Sequence, residues 1–418
     1  MAEKIVVMKF GGKSLASLEL FQAVAQYIAE RITRDNALRV VAVVSAMGKR
    51  TDAILANIKW LHNDPPQREL AAALQVGEAE SAPYLATALT ATGVRAQSYN
   101  AWQLGIQTAG GHEEARITTV NQEKLLQALS LNQVAVVTGF QGINELHEDE
   151  LTVLGRGGSD TTAVALAATL SCGVEFYKAG VAGVHAYNPN ISPRAKVLTH
   201  LTYDEAMMLT EYGYEFLMTR SLDIARRFGI RLEFRQTPGL PNHDPWVVAT
   251  MIDAGGTTRI ERTNQDLRAI AVKENQALIV VSNVPNIPGW SRQIYDCIDL
   301  PFIDSYQAGA GSRAFVVIIS HEASANQIAA LLRGLPNIKV TTHESLANIT
   351  LIDRSANQET HIFARIGKAL ETAEVNIQGQ YSSGFFIHTL VNLADKDAAV
   401  LAIGQEFGLE EQPVSFQA

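Results

Sequence analysis

The segment best suited to chemistry is the glycine-rich run from Gly155 to Thr162, which reads GRGGSDTT and leads into the alanine-rich helical pattern of 163–170. Glycine lets the backbone approach a ligand closely, and the amides at a helix start favour an anion. Arg156 adds a planar guanidinium suited to a carboxylate or phosphate, and Asp160 places a carboxylate in the same turn. This combination predicts a functional loop rather than an ordinary strand-to-helix turn.

The elements that position such a loop form an alternating pattern. Compact β-rich runs alternate with helical patterns, at residues 5–10, 39–44, 134–137, 174–177 and 231–234. This alternation predicts an α/β fold with a mostly parallel sheet. Several of the runs end in Gly, Ser or Thr, and ligands of open α/β sheets bind beyond the carboxyl ends of the strands. The sequence therefore predicts a ligand site along that edge.

Composition narrows the class of protein. The chain has 418 residues, too many for one ordinary domain, and is 47% hydrophobic and 18% charged, enough to bury a sizeable core. A formal charge of −9 without a long Lys/Arg cluster argues against nucleic acid as a partner. No apolar run approaches the roughly 20 residues that span a bilayer, and the start lacks a signal-peptide pattern. We therefore expect a cytoplasmic protein with no membrane partner.

Cys172 and Cys297 show no metal-ligand spacing, and no residue is assigned to a metal site.

The second half of the chain has a different organisation. Turn-forming residues at 238–245 predict a boundary that closes a first domain, 1–245. Beyond it, strand and helix patterns repeat as two βαββαβ-like units, 265–338 and 339–418, and the second could borrow a strand from 246–264. Two such units suggest a pair of ligand-sensing domains. An extra α+β domain without a ligand is the alternative.

The glycine-rich run resembles, without a break, the GRGGSDTT string of the aspartokinases. Other segments resemble strings of the same family in the same order: 9–14 (KFGGKS), 44–52 (VSAMGKRTD), 76–78 (VGE) and 137–142 (VTGFQG). The C-terminal units resemble the paired ACT regulatory domains of that family, so the resemblance covers nearly the whole chain. It implies an amino-acid-kinase-type three-layer α/β fold with a mostly parallel central sheet, followed by two α+β ACT-like domains.

The resemblance also implies an activity. Aspartokinases use ATP and Mg²⁺ to phosphorylate the side-chain carboxylate of L-aspartate, which gives 4-phospho-L-aspartate for amino-acid biosynthesis. In such a transfer the protein mainly supplies positioning and charge neutralisation. Two alternatives stay open, a kinase for another amino or carboxylic acid and a non-catalytic homologue that binds an amino acid.

The resemblance also implies which residues form the site, because the family's site residues can be assigned to the matching positions of this sequence. Lys9 and Asp160 would be catalytic, with Lys9 stabilising the transferring phosphoryl group and Asp160 organising phosphates, Mg²⁺ or the lysine. Substrate binding is assigned to Ser45, Thr51, Glu78, Arg156, Gly157 and Ser159. Nucleotide binding is assigned to Gly11, Gly12, Lys178, Gly183 and Pro189. Arg156 would pair with the substrate α-carboxylate and Glu78 would face its amino group. Ser45 and Thr51 could also be ordinary turn and cap residues.

The nucleotide segment departs from the family pattern. The family reads YTDVDGVYTADPR or WKDVDGVLTCDPN, whereas residues 177–190 of this chain read YKAGVAGVHAYNPN. Both loop aspartates are missing, Asn188 replaces the third, and one residue is added before Gly183. Lys178, Gly183 and Pro189 remain. The loss of carboxylates predicts a changed way of holding ribose, Mg²⁺ or neighbouring cations.

Two further departures concern the first domain. Lys13 stands where the family has Thr, which places a second cation beside Lys9 unless the side chain points to solvent. The family string GAKVLHPRS has become GYEFLMTRS at 213–221, so that Met218-Thr219 replaces His-Pro. These changes motivate the alternative of a different acceptor acid.

The ACT resemblance implies an effector site and an oligomer. Effector binding is assigned to Asn286 and Gly289, in a retained Pro-Gly turn, and to Asn376, in a retained asparagine strand. Such sites lie at a dimer interface in the family, so a homodimer or higher oligomer through the ACT-like domains is expected, with allosteric regulation by an amino acid.

Overall fold

The computed structural model describes residues 4–147, 150–180, 183–255, 268–285, 289–296, 304–310, 313–353 and 361–411. The chain divides into two compact units. The first unit contains Met1–His185, Val197–Glu211 and Glu215–Glu261. The second unit contains Ala186–Lys196, Tyr212–Tyr214 and Arg262–Ala418. The first unit thus extends past residue 245, and two short segments from within the predicted first domain belong to the second unit.

The described strands of the first unit are β1 (Lys4–Phe10), β2 (Leu38–Val44), β3 (Ala96–Tyr99), β4 (Ile106–Ala109), β5 (Arg116–Val120), β6 (Val134–Thr138), β7 (Gln141–Asn144), β8 (Leu151–Val153), β9 (Val174–Lys178), β10 (Val184–His185), β11 (Val197–Leu198), β12 (His200–Thr202), β13 (Leu232–Gln236) and β14 (Val248–Asp253). Its described helices are α1 (Leu18–Arg34), α2 (Arg50–Leu61), α3 (Gln67–Leu74), α4 (Val76–Ala91), α5 (Ala101–Leu104), α6 (Gln122–Leu131), α7 (Gly158–Leu170), α8 (Tyr203–Glu211) and α9 (Thr219–Phe228). A short 3₁₀ helix spans Gly12–Leu15.

The main sheet of the first unit has, among the described residues, eight strands in the order β12-β14-β13-β9-β1-β2-β6-β3. From β13 to β3 every neighbouring pair is parallel, and β14 runs antiparallel to β13. The central strands are buried on both faces, which explains why they are continuous apolar runs rather than alternating ones. The α/β fold with a mostly parallel sheet is confirmed.

Helices cover both faces of this sheet, which gives three layers. Tyr177 of β9 contacts Tyr27 of α1, whereas the next residue, Lys178, contacts Asp160 of α7. Because successive side chains of a strand point to opposite faces, α1 and α7 lie on opposite sides. On the α1 side, the apolar face of α4 joins the same core cluster, with Leu85 and Leu89 buried.

A buried ion pair fastens α1 to the sheet. Arg31 donates two hydrogen bonds to the Glu175 carboxylate, of 3.0 and 3.1 Å, and the Tyr177 hydroxyl donates a third of 2.6 Å. Although burial alone would raise the pKa of Glu175, these contacts and Arg235 hold it below its usual value. The Tyr177 ring stacks on Phe10 at 4.7 Å. The network therefore fixes β9 against β1, the two strands that carry Lys178 and Lys9.

The second unit is one antiparallel sheet with helices. Its described strands are β15 (Arg268–Pro285), β16 (Asp304–Ala310), β17 (Arg313–His321), β18 (Lys339–Asp353), β19 (Gly379–Ser383) and β20 (Phe386–Asn392), in the order β16-β17-β15-β18-β20-β19. Its described helices are α10 (Trp290–Asp296), α11 (Glu322–Arg333), α12 (Ile362–Thr372) and α13 (Lys396–Glu406), with a short 3₁₀ helix at Leu393–Asp395.

Two long strands are shared by two ACT-like halves. Residues 276–285 of β15 pair with β17 and with the start of β18, whereas residues 268–273 pair only with the end of β18 among the described strands. Asn275 and Ser345, both with positive φ, mark the irregular junction. One half is therefore the contiguous run 276–343, and the other joins residues from 346 onward to 268–273.

This arrangement corrects the expected strand exchange. The second half takes its extra strand from residues 268–273 rather than from 246–264. Within 246–264, β14 pairs with β13 and β12 of the first unit, where its hydrogen bonds are already used. Residues 256–264 lie outside the described part of the chain. Separately, none of the described helices is long and apolar enough to cross a membrane.

We predict that Arg31→Met destabilises the first unit by about 3 kcal/mol or more, because it leaves Glu175 buried without its main counter-charge. Arg34→Ala is the matched control on the same helix, since the exposed Arg34 stacks on Trp246 and its substitution should cost below about 1 kcal/mol. Denaturant unfolding measures both. Equal losses in the two variants would contradict this account of the network.

Candidate active site

The candidate site lies at the carboxyl ends of parallel strands β9, β1 and β2. Lys9 is the penultimate residue of β1, and Lys178 is the last residue of β9. Lys9 is opposite Phe176 in the register, so Lys9, Phe176 and Lys178 share one face. The sequence predicted both this edge and these two lysines.

Asp160 binds both lysines. Its Oδ1 lies 2.5 Å from Lys9 Nζ and its Oδ2 lies 3.3 Å from Lys178 Nζ. Burial would raise the pKa of Asp160, but Lys178 and Lys9 hold it below its usual value, so the carboxylate stays ionised. Burial lowers the pKa of Lys9, as does the nearby Lys178, while Asp160 opposes the shift. Two ammonium groups around one carboxylate leave an excess positive charge, which suits a polyanionic ligand.

The start of α7 places Asp160 and its neighbour Ser159. Gly157 is the residue before the helix and adopts a left-handed conformation with φ of 64°. A Cβ on Gly139, after β6, would lie 2.6 Å from the Ser159 Cβ, so only glycine permits this approach. Because α7 is buried along most of its length, its first turn is held rigidly against the sheet.

Glu78 is a buried carboxyl group with one free oxygen. It lies in the first turn of α4, and its Oε2 has no hydrogen-bond partner among the described residues. Burial raises the pKa of Glu78 to about 7, while hydrogen bonds from the amides of Ala46 and Glu78, the charge of Lys9 and the Ser159 hydroxyl oppose the rise. A cationic group of a ligand would supply the missing partner and favour the ionised form.

The loops after β1 and β2 lie against one another. Ser45 donates its amide to the Phe10 carbonyl at 3.1 Å, and Gly48 donates to the Gly12 carbonyl at 3.0 Å. A Cβ on Gly12 would lie 2.8 Å from the Ala46 carbonyl oxygen, which requires glycine there. A Cβ on Gly11 would lie 3.5 Å from Lys9 Nζ. These contacts bring Gly11, Gly12 and Ser45 beside the group formed by Lys9, Asp160 and Lys178, the lysine cluster.

Ser14 and Thr237 hold this arrangement, and sequence reasoning assigned neither a role. The buried Ser14 hydroxyl donates to the Tyr177 carbonyl at 2.9 Å and lies 2.7 Å from the Thr237 hydroxyl. The contacts fasten the turn after β1 to the last residues of β9 and to the end of β13. The Ser14 position was part of the KFGGKS string, but Thr237 carries no local signal.

Arg156 is exposed in the glycine-rich loop, and its backbone carbonyl is bound by a second arginine, Arg220. The Arg220 guanidinium donates to the carbonyls of Leu154 and Arg156, the latter at 3.1 Å. Met218 packs against Gly157, where a Cβ would lie 2.2 Å from the Met218 Cγ. Arg220 lies in the string 213–221 but was assigned no role, and its contacts fix the backbone of the loop. The Arg156 side chain itself remains available to a ligand.

The other assigned residues are not brought into the lysine cluster. Thr51 lies half-buried in the first turn of α2. Gly183, with φ of 79°, packs on Thr250, whose hydroxyl accepts from the Val184 amide at 2.8 Å. Pro189 belongs to the segment 186–196 of the second unit. Lys13 is exposed.

The assigned effector residues fall in the second unit. Gly289 is an exposed turn residue with φ of 93° directly before α10, and Asn286 lies outside the described residues. Asn376 is exposed in the connection between α12 and β19, so the expectation that it lies in a strand is wrong. Val375, next to it, closes the end of α12 by donating its amide to Leu370.

Comparison with known proteins agrees with this architecture. Residues 4–235 match the Amino acid kinase family. An aspartokinase of Corynebacterium glutamicum is 32% identical over 415 residues, which cover 97% of this chain and 96% of that protein.

Solved structures show the same fold at lower identity. E. coli aspartokinase III in complex with aspartate and ADP (R-state) has a TM-score of 0.69 at 20% identity, covering 97% of this chain and 100% of that chain. The same enzyme in complex with lysine and aspartate (T-state) has a TM-score of 0.66 at 20% identity, covering 96% and 99%. With the family match over more than half of the chain and an aspartokinase relative along nearly its whole length, the chain belongs to the amino acid kinase family, as a divergent aspartokinase-type kinase with ACT-like regulatory domains.

Proposed function

We propose that this kinase transfers the γ-phosphoryl group of ATP to the side-chain carboxylate of L-aspartate and forms 4-phospho-L-aspartate. The observation that carries the proposal is the Lys9–Asp160–Lys178 cluster beside the partly unsatisfied Glu78. The cluster suits a phosphate chain, and Glu78 suits an ammonium group. E. coli aspartokinase III, solved with aspartate and ADP, is consistent with this pairing of ligands.

The proposed reaction needs no general base. A side-chain carboxylate is ionised near neutral pH, so its oxygen attacks the γ-phosphorus directly. The new oxygen–phosphorus bond forms as the bond to the β-phosphate oxygen breaks, and ADP leaves with the electron pair. Charge gathers on the transferring group and on the leaving oxygen, and Lys9 and Lys178 neutralise it there. Asp160 holds both ammonium groups in place and transfers no proton.

Arg156 and Glu78 would orient the acid. A guanidinium can hold the α-carboxylate by two parallel hydrogen bonds, and Glu78 would accept from the α-ammonium group. Ser45, Thr51 and Ser159 would offer hydroxyls, and the amide of Gly157 a further donor. Gly11, Gly12, Gly183 and Pro189 would contact the nucleotide through the backbone.

A protein-made Mg²⁺ cage does not fit the described residues. They contain no group of three or more His, Cys, Asp or Glu placed to hold a metal ion, and both oxygens of Asp160 are used by lysines. Mg²⁺ commonly binds through nucleotide phosphates and water with one or two carboxylates. We propose that any Mg²⁺ arrives bound to ATP. No step of the proposed phosphoryl transfer depends on a protein ligand to the metal.

A different acceptor acid is the second candidate. Met218 packs on Gly157 in the loop proposed to bind the acid, and the exposed Lys13 adds a cation after β1. Both changes alter shape or charge without removing the lysine cluster, so they favour a changed acceptor over a lost reaction.

The second unit would regulate the enzyme. We propose that it binds an amino-acid effector through Gly289 and Asn376, with Asn286 in the adjoining turn, and joins two chains into a dimer. E. coli aspartokinase III has been solved with lysine as well as aspartate, which is consistent with this role.

The test of the function is acyl-phosphate trapping. Purified protein with ATP, Mg²⁺ and hydroxylamine should give a hydroxamate from L-aspartate, measured across a panel of amino and carboxylic acids. Product from another acid alone would replace aspartate as the acceptor. An acid bound by calorimetry without turnover would leave only a non-catalytic binding role.

We predict that Lys9→Ala lowers kcat on the order of 100-fold or more, because it removes charge stabilisation at the transferring group. KM for the acid should change far less. Lys4→Ala, at the exposed opposite end of the same strand, is the control and should behave like wild type. A wild-type kcat in Lys9→Ala would remove Lys9 from the catalytic role, and denaturant unfolding of Lys9→Ala shows whether the variant remains folded under the assay conditions.

Arg156→Ala should raise KM for the acid about 30-fold, since losing the charged hydrogen bonds costs about 2 kcal/mol. KM for ATP should stay near wild type. Arg156→Lys keeps the charge without the paired donors and should recover only part of the loss. Unchanged KM for the acid in Arg156→Ala would be incompatible with carboxylate binding by this residue.

The raised pKa of Glu78 predicts a pH dependence. Only the ionised carboxylate accepts from an ammonium group, so kcat/KM for the acid should rise with pH and level off above about 7. Below that value it should fall about tenfold per pH unit. Glu78→Gln should abolish this step and lower kcat/KM above neutral pH. A pH profile that is the same in Glu78→Gln and wild type would exclude Glu78 as the group that titrates.

A further inference from the structure

Gln141 is a buried side chain of the first unit, 2% exposed, whose amide nitrogen and oxygen are both hydrogen-bonded. Its Nε2 donates to the backbone carbonyl of Gln75 at 3.1 Å and to the Gln75 Oε1 at 2.9 Å. Its Oε1 accepts from the Thr138 hydroxyl at 3.0 Å. The string 137–142 contains Gln141, but no role was assigned to this residue. These contacts join two parts of the first unit that lie 66 residues apart in the chain.

Gln75 is the junction between α3 and α4, so its contact with Gln141 holds the start of α4. It follows the last residue of α3 and precedes the first residue of α4. Its carbonyl, which accepts from Gln141, also accepts from the Ala79 amide at 3.2 Å and so closes the first turn of α4. Glu78 lies in that turn. Gln141 therefore holds the helical turn that carries Glu78.

The loop that leads into Gln141 is also fixed to α7. Gly139 packs so closely on the first turn of α7 that a Cβ there would lie 2.6 Å from the Ser159 Cβ. The Phe140 amide donates to the Thr162 hydroxyl at 3.1 Å. Phe140 has φ of 72°, which a bulky residue rarely adopts, so the surrounding contacts must outweigh that strain. One loop therefore links α7 to the first turn of α4.

Glu78 depends on the separation of these two helices. It is 4% exposed, its carboxylate interacts with the Ser159 hydroxyl of α7, and its Oε2 is the oxygen without a partner among the described residues. A movement of α4 away from α7 would weaken the contact with Ser159 and displace the free oxygen.

We propose that Gln141 is a positioning residue for the acceptor acid: it holds the Glu78 carboxylate at a fixed distance from Ser159, and so fixes the place where the ammonium group of the acid binds. This inference rests on the proposed function, in which Glu78 accepts from that ammonium group. Gln141 acts through Glu78 and does not itself contact the acid.

The partners of Gln141 keep other hydrogen bonds when its side chain is replaced. The Gln75 carbonyl still accepts from the Ala79 amide, and the half-buried Gln75 side chain can reach water. The Thr138 hydroxyl has the Tyr99 carbonyl as a second acceptor, at 3.4 Å. Methionine is unbranched and adapts to irregular space in a core. We therefore expect Gln141→Met to fold, and denaturant unfolding checks this.

The experiment measures KM for the acid, KM for ATP and kcat in Gln141→Met, with the acid that gives the hydroxamate. Gln122→Met is the matched control, because the Gln122 amide also donates to a backbone carbonyl, that of Thr169, at 3.0 Å, from a helix with no assigned site residue. Glu78→Gln, alone and combined with Gln141→Met, completes a double-mutant cycle. Gln75→Ala is the second test, since it removes only the side-chain acceptor.

We expect Gln141→Met to raise KM for the acid about tenfold, the size of one or two lost hydrogen bonds. KM for ATP and kcat at saturating acid should stay within about twofold. Gln75→Ala should raise KM for the acid about threefold, because the bond to the backbone carbonyl remains. In the Glu78→Gln background, Gln141→Met should add less than about twofold. Gln122→Met should match wild type.

The results that overturn the inference differ from those that overturn the proposed function. An unchanged KM for the acid in Gln141→Met, with active wild type, overturns the positioning role and leaves the kinase proposal intact. Equal rises in both KM values, or a rise that persists in the Glu78→Gln background, show a general structural effect and also overturn it. If Gln141→Met does not fold, an unchanged KM for the acid in Gln75→Ala overturns the role. Absence of turnover in wild type with every acid overturns the kinase proposal, and this inference with it.

Discussion

A carboxylate as buried as Asp160 is tolerated because two ammonium groups reach it, and this requirement constrains the rest of the first unit. Lys9 and Lys178 come from neighbouring parallel strands, so both must end at the same edge of the sheet. The start of α7 must then lie against that edge, which needs glycine at the crowded positions before it. Removing either lysine would leave part of the Asp160 charge uncompensated in a low-dielectric site. The same cluster keeps one positive charge in excess, so the interaction that stabilises the site also prepares it for an anion.

Much of the fold follows from local patterns. β1, β2 and β6 are mostly apolar because a parallel sheet is buried on both faces, and such runs are visible in the sequence. The sharing of β15 and β18 by two ACT-like halves is not visible, because it depends on register between strands far apart in the chain. The strand that the second half takes from the start of the 18-residue β15 was therefore sought in 246–264.

In the candidate site, too, some residues could be predicted from the sequence and others only from the structure. Lys9, Glu78 and Asp160 could be predicted because each lies in a string of unusual residues. Ser14 and Thr237 form a buried contact across 223 residues, and Arg31 and Glu175 across 144. Ser, Thr, Arg and Glu are common residues, and neither pair leaves a local pattern. What the sequence could predict is the set of candidate reacting groups. What it could not predict is the set of contacts that hold those groups at a fixed separation.

The altered nucleotide segment shows how the two kinds of information combine. Sequence alone predicted a changed way of holding ribose, Mg²⁺ or neighbouring cations, because the aspartates of the segment are missing. In the structure, Lys178 of that segment binds Asp160 of α7, and the later residues are fastened through Tyr187, Arg194 and Glu410. Carboxylates are thus present around the segment although the segment itself contains none. A missing family residue is therefore weak grounds for a lost function until the charges contributed by distant parts of the chain are known. In this protein those charges come from α7 and from the residues after α13, which no comparison of the segment alone could reveal.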